Sequence, residues 1–403
     1  VPAVDVVIIG AGPAGTAAAI TLARAGRQVV VIDKAIFPRD KICGDGLTTG
    51  ALRRLEALGL RADTVSSWQP VDDVVVHSPS GRAVTFPLPR GQGRFAVVAK
   101  RVDLDAALVD LARGAGAEVL EGHALEGAEL HDDHVVVRAT GLAPVTARYV
   151  LGADGMWSPL RKALGVATDG YLGEWHAFRQ YFRGVTPAAS RDLHVWFEAD
   201  ILPGYIWSFP LPDGGANVGF GIQRGAGVAT ADMKRLWPDI LARPTVRAVL
   251  GDAAEPAAPH RAWPIPARVD TVQLATGRAL FVGDAAAATD PMTGEGIGQA
   301  LQSGVLAAEA VLAAGALDPA HARRHYAHAV HHELAADHRM SVQLLRVLAR
   351  PQGAEWAVRI AGMSAWTRRN FARWLFEDYP RAALFTPERW RRGMFTGPGA
   401  YRA

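Results

Sequence analysis

Cysteine is nearly absent: the 403-residue chain has one, Cys43. A single thiol excludes an internal disulfide and leaves no cysteine cluster for zinc or an iron–sulfur centre, the usage expected of a reducing compartment. A cleavable leader is not expected either, because an apolar strand pattern begins at residue 4 with no room for a charged and then hydrophobic segment ahead of it. No uncharged apolar run is both long enough and free enough of turn glycines to read as a membrane span. These absences predict a cytoplasmic protein. Low-complexity sequence is missing too, the 42 glycines and 25 prolines being spread along the chain. What is there is 49% hydrophobic and 21% charged, in a chain too long for one ordinary core, so two domains or one elaborated α/β domain is expected.

The most informative stretch is the first forty residues. An apolar run with several β-branched residues, 6–9, reads as a buried strand; it meets Gly10-x-Gly12-Pro13-Ala14-Gly15 and an Ala-rich helix through residue 25, which Gly26 stops. A second apolar run, 29–32, ends in Asp33. Glycines there make a tight turn and let backbone approach a pyrophosphate, the helix N-terminus offers free N–H groups, and the acid reaches ribose hydroxyls. Strand, turn, helix, strand and acid in that order predict a dinucleotide site rather than a bare glycine-rich turn.

Residues 34–46 read as a loop and 47–58 as a helix capped by Thr48 or Thr49. Residues 71–77 and 83–87 form a hairpin. An amphipathic helix from Arg101, a strand at 118–121 and a second hairpin lead to Asp154-Gly155 at another strand end. From 175 to 224 the pattern turns antiparallel, and the period of two puts Tyr205, Trp207 and Phe209 on one face. That face reads either as a wall for an apolar or flat substrate or as the core side of a half-buried sheet. A strand near 279–282 ends in Gly283-Asp284, and Pro291-x-x-Gly294-x-Gly296-Ile297 opens a helix whose free amides can stabilise negative charge on a bound ring. Beyond 319 the chain reads helical, over 321–338, 341–348 and 356–376.

Charge is uneven. The chain carries +3 overall, yet residues 359–403 hold nine arginines against Glu377, Asp378 and Glu388, together with Trp366, Trp374 and Trp390. Such a tail is either a solvated helical cap packing its tryptophans inward, the preferred reading, or a surface resting on an anionic membrane. No recognition motif accompanies the charge, so nucleic acid is not an expected partner. His321, His325, His328, His331, His332 and His338 lack an evident companion set that would close a metal site, and a solvated helix face is expected instead.

Together the three separated motifs resemble the FAD-dependent oxidoreductases with the p-hydroxybenzoate hydroxylase-type fold, over most of residues 4–315. Gly10, Gly12, Pro13, Ala14, Gly15, Asp33 and Lys34 look like that group's adenosine and pyrophosphate site. Asp154 and Gly155 are similar to its second motif, which contacts the cofactor near the flavin phosphates and the reductant, and Gly283, Asp284, Pro291, Gly294, Gly296 and Ile297 to its ribityl and ring contacts. Within the group the finer resemblance is to the geranylgeranyl reductase family, carried by Lys41-Ile42-Cys43-Gly44-Asp45-Gly46 and by Pro203-Gly204-Tyr205-Ile206-Trp207-Ser208-Phe209-Pro210. Arg101 matches the family's flavin-side arginine, and by the same resemblance Lys41, Gly44, Asp45 and Gly46 are expected to contact the cofactor. The expected architecture is α/β: a Rossmann-type FAD-binding domain (1–70, 98–172 and 270–318) interleaved with an antiparallel-sheet substrate domain (71–97 and 173–269), then a helical C-terminal region (319–403).

The resemblance implies FAD as cofactor, with NAD(P)H or a ferredoxin as an undetermined electron donor. It implies reduction of carbon–carbon double bonds in the prenyl chain of a hydrophobic lipid or quinone, FADH2 giving hydride to one carbon and an acid supplying a proton to the other. Cys43 and Tyr205 are the expected donors, with Trp207 beside them in the wall. A lone cysteine is commonly a small buried hydrophobe, but a place between a lysine and two glycines in a cofactor-facing loop favours a site role. A flavin-dependent halogenase or other monooxygenase is the second reading. Against the halogenase, Tyr205 and Phe209 stand where its strand has tryptophan and isoleucine, and no lysine occurs between Lys41 and Lys100. A non-catalytic flavin-binding protein is the third.

Overall fold

A computed structural model describes residues 4–390 and 392–402. The opening strand, Val4–Ile9, runs parallel between Val29–Asp33 and Val145–Gly152. Glu118–Glu121 extends this sheet on one side and Ala279–Phe281 on the other. Val6, Val7 and Ile8 are wholly buried, which is why the strand is a continuous apolar run and not an alternating one. Helix α1 (Pro13–Arg24) starts at once, with Gly12 as N-cap and proline in its first turn. Thr48 caps α2 (Thr49–Ala57) by accepting the Ala51 N–H at 3.2 Å. Helix α3 (Arg101–Gly114) and the short α4 (Pro159–Ala163) complete this part of the chain.

A second sheet has the strand order Glu255–Pro256, Trp175–Arg183, Ala216–Gln223, Tyr205–Pro210, Leu193–Trp196, Asp73–His77, Ala83–Pro87. The expectation of a wholly antiparallel sheet is corrected at one seam, because Leu193–Trp196 pairs parallel to Asp73–His77. The early hairpin is joined to the later strands by a long connection, so its direction is free of the turn constraint that makes neighbours antiparallel. Helices α5 (Met233–Ala242) and α6 (Pro244–Leu250) cover one face, where Phe178, Phe182, Ile206, Val218, Phe220 and Trp237 form a core. The opposite face, bearing Tyr205, Trp207 and Phe209, is left for the site. A small third sheet, unforeseen in the sequence, joins Gly46–Thr48, Ala96–Val98 and Gln69–Pro70.

Helix α7 (Ile297–Ala314) has 18 residues and a mean hydropathy of 1.3, enough by length and composition alone to cross a bilayer, although it carries Glu309 and so is not an uncharged run. Gly298 and Gly304 lie inside it. A Cβ on Gly304 would strike the Ala14 carbonyl, so glycine lets α7 lie close against α1. Most of α7 is thereby buried in the protein. Helix α8 (Pro319–Val330) runs through a π-turn at His331–Ala335 into α9 (Ala336–Leu348) with no break at residues 339–340. The expected helix at 356–376 is two, α10 (Pro351–Ala361) and α11 (Ala365–Leu375), divided by Gly362-Met363-Ser364. Ser364 and Thr367 make a reciprocal capping box that starts the second. His338 is also corrected. It is buried, 3.2 Å from Asp270, rather than on a solvated face. Among the described residues no His, Cys, Asp and Glu cluster could hold a metal.

Candidate active site

The nucleotide end is shaped by two close approaches. Gly10 has φ +104°, and a Cβ there would strike the Ala153 carbonyl; one on Gly15 would strike the Gly10 carbonyl. Asp33 accepts the N–H groups of Ala11 at 2.7 Å and Ala35 at 2.8 Å, so it braces the glycine turn and keeps spare lone pairs for a ribose. The first turn of α1 has no side-chain cap and leaves N–H groups for a diphosphate. At another strand end Asp284 is half-buried in the cavity wall, with Thr289 Oγ1 at 3.5 Å as its one side-chain donor among the described residues. A cradle closed to any Cβ, open amides and an unclaimed carboxylate fit FAD.

Asp154 departs from the expected role. Its carboxylate accepts the Ser158 hydroxyl and the Leu160 N–H, both at 2.7 Å, and so caps α4. Burial pushes its carboxyl up to about 6 against those bonds. It holds the Asp154-Gly155 turn in place, leaving the backbone of that turn to line the cavity.

The Cys43 loop is pinned to the second sheet. Asp45, at φ +65° and fully buried, accepts Tyr181 Oη and Asn217 Nδ2, each at 2.8 Å, and the Arg101 N–H at 3.2 Å. Burial raises its carboxyl to about 6, those hydrogen bonds opposing. Its oxygens therefore serve the protein and not the cofactor, a second correction. Asn217 also donates to the Cys43 carbonyl at 2.9 Å. A Cβ on Gly44 or Gly46 would lie 3.2 or 3.0 Å from the Phe209 ring, so these glycines admit the aromatic wall. Arg101 is locked to Asp105 by two 2.7 Å bonds, and Arg39 reaches the same carboxylate at 2.7 Å. Burial alone would lower the Arg101 pKa; the Asp105 charge reverses this. Lys41 Nζ sits 3.6 Å over the Trp263 ring, and burial lowers it to about 8. The partial exposure of Cys43 is to this cavity; burial pushes its thiol up, with the Arg101 charge pulling the other way, so it holds its proton.

Tyr205, Trp207 and Phe209 line the cavity, neighbouring ring centroids 6.1 Å apart. Trp207 lies against Gly219, whose missing side chain makes the space, and its Nε1 donates to Asn217 Oδ1 at 3.3 Å. The Tyr205 hydroxyl donates to the Thr293 carbonyl and ties the wall to the loop before α7. There Glu295 caps α7 by accepting the Gly298 N–H at 2.6 Å, while the Gly296 and Ile297 N–H groups have no acceptor among the described residues. Burial first, then the neighbouring Glu377 charge, push Glu295 up to about 8. A protonated carboxyl thus faces the cavity beside an open helix N-terminus.

The structure brings every sequence-predicted site residue except Gly15 to one cavity of about 970 Å³. Gly15 packs behind the turn. Sequence reasoning missed Tyr181, Asn217 and Glu295, and the far wall, where α9 and α11 contribute Leu344, Leu348, Phe371, Trp374 and Leu375. Gly219 and Gly221, alternating within a strand, were a readable signal of close approach. Trp374 points inward as the solvated-cap reading expects; Trp366 and Trp390 do not, at 66% and 55% exposed.

Comparison with known proteins agrees with this geometry. Residues 3–326 match the family described as FAD binding domain. A menaquinone reductase of Mycolicibacterium smegmatis is 34% identical over 80% of this chain and 81% of its own length. A digeranylgeranylglycerophospholipid reductase of Methanosarcina acetivorans is 31% identical over 76% of this chain and 74% of its own. Among solved structures, a geranylgeranyl bacteriochlorophyll reductase-like protein from Thermoplasma acidophilum covers 96% of this chain and 99% of its own at TM-score 0.78 and 22% identity. A halogenase in complex with phloroglucinol and FAD covers 98% and 85% at TM-score 0.72 and 20% identity.

Proposed function

Because the chain belongs to the geranylgeranyl reductase family of FAD-dependent oxidoreductases, we propose that it saturates carbon–carbon double bonds in the prenyl chain of a quinone or lipid. The observation that carries this reading is the continuity of one cavity, from the glycine cradle past Cys43 and the aromatic strand to the apolar side chains of α9 and α11. Such a shape takes a flexible hydrocarbon chain lengthwise. The names of the relatives, a menaquinone reductase and a lipid reductase, support the same substrate class.

Bound and reduced, FAD supplies the hydride. Addition of hydride to an unactivated alkene builds positive charge on the far carbon, so a proton must arrive almost in concert. The chain keeps its donors charged with protons: burial raises the Cys43 thiol and the Glu295 carboxyl alike. Cys43 Sγ is the direct donor. Tyr205 and Trp207 are hydrogen-bonded to Thr293 and Asn217 and act as a fixed surface that orients the chain and excludes water. The test is product mass. With dithionite as reductant and a geranylgeranyl lipid that carries no quinone headgroup as substrate, a product heavier by two hydrogens per reduced bond is expected; recovery of unchanged or oxygenated substrate would sink the reading.

A further inference from the structure

The C-terminal helices carry an unpartnered surface of definite chemistry. On α10 the side chains of Ala354, Val358 and Ala361 turn inward, whereas Trp356 and Ile360, one turn apart, are 57% and 56% exposed. Met363 and Trp366 continue the apolar face at 74% and 66% exposure. Across residues 346–369 five arginines stand against one acid, Glu355. Glu355 accepts the Ser80 N–H at 3.3 Å. In the C-terminal region the ion pairs go to Arg373, Arg381 and Arg389; none of the five has one among the described residues. Arg359 instead lies 5.4 Å over the Trp356 ring.

We propose that α10 and the start of α11 dock this protein on an anionic lipid bilayer, with the cavity mouth set at the lipid surface. Large exposed apolar side chains interleaved with unpaired arginines match the headgroup region, where indoles rest at the interface and guanidinium groups meet phosphates. A second copy would bring the same positive face and repel. The mouth follows from Val347, which is 52% exposed and also lines the cavity. The docking face rests on these exposed residues alone; only its purpose, loading a prenyl chain sideways from the bilayer, rests on the function proposed above.

Flotation of the FAD-loaded protein with vesicles of mixed phosphatidylglycerol and phosphatidylcholine, against phosphatidylcholine alone, tests this without turnover. Binding is expected on the anionic vesicles, weakening as salt rises. Arg359→Gln with Arg369→Gln should weaken it roughly fivefold per arginine, and Trp356→Ser with Trp366→Ser should weaken it on both lipids, bound flavin and thermal melting remaining as in the parent. Flotation indifferent to lipid charge, or unchanged in both pairs of variants, overturns the proposal, as does a solution dimer that the tryptophan variants dissociate. None of these results bears on whether prenyl chains are reduced.

Discussion

Cys43 and Glu295 face one cavity and differ in what each should show when changed. Cys43 is held through its backbone carbonyl, so Cys43→Ser keeps the loop and removes only the thiol. Flavin content should stay near one per chain while the rate of substrate-driven flavin reoxidation falls about 10²-fold; an unchanged rate removes Cys43 from the chemistry. Glu295 is read through pH. Its native pKa lies above its unfolded value, so the native state binds the extra proton, and stability is full below the unfolded pKa and declines as pH rises towards about 8. His77 and His194, lowered to about 4 by burial, act oppositely below their ordinary value of 6.5. Glu377, raised by burial beside it, titrates with Glu295, so between roughly pH 6.5 and 8 the slope belongs to the pair. Melting temperature should fall across that window in the parent and fall less steeply in Glu295→Gln; equal slopes would mean that Glu295 is ionised throughout.

At the scale of elements, glycines in the two loops do different work. Gly10→Ala meets a backbone carbonyl at positive φ and should abolish flavin retention, read by absorbance after gel filtration. Gly46→Ala meets the Phe209 ring at 3.0 Å, and should retain flavin while losing turnover as the ring is displaced. If both lose flavin equally, Gly46 belongs to the cofactor as the sequence reading had it. Sequence set Gly44, Asp45 and Gly46 against the cofactor, but a glycine reports that something comes close, not what. The strand–turn–helix–strand unit ending at Asp33 was legible because its periodicity and spacing are local. Asp45 with Tyr181 and Asn217 was not, since those partners lie 136 and 172 residues away. The face bearing Tyr205, Trp207 and Phe209 showed in the period of two, and only the packing of Phe178 and Ile206 on the other side decides which face is core.

On the scale of the whole molecule, the two sheets and the C-terminal helices each supply a wall to a single cavity, and the helical tail that read as a cap is the wall farthest along the chain. Its spacing announced amphipathic helices without saying that one side would close over the site. The fold is shared with halogenases, so architecture alone does not separate a reductase from an oxygen-dependent enzyme. Reoxidation of the reduced, FAD-loaded protein without oxygen does. In anaerobic stopped flow, a geranylgeranyl lipid without a quinone headgroup should restore the oxidised flavin spectrum in a single exponential whose rate saturates with substrate, and a saturated chain should be recovered; a spectrum that stays reduced until oxygen is admitted would contradict the account.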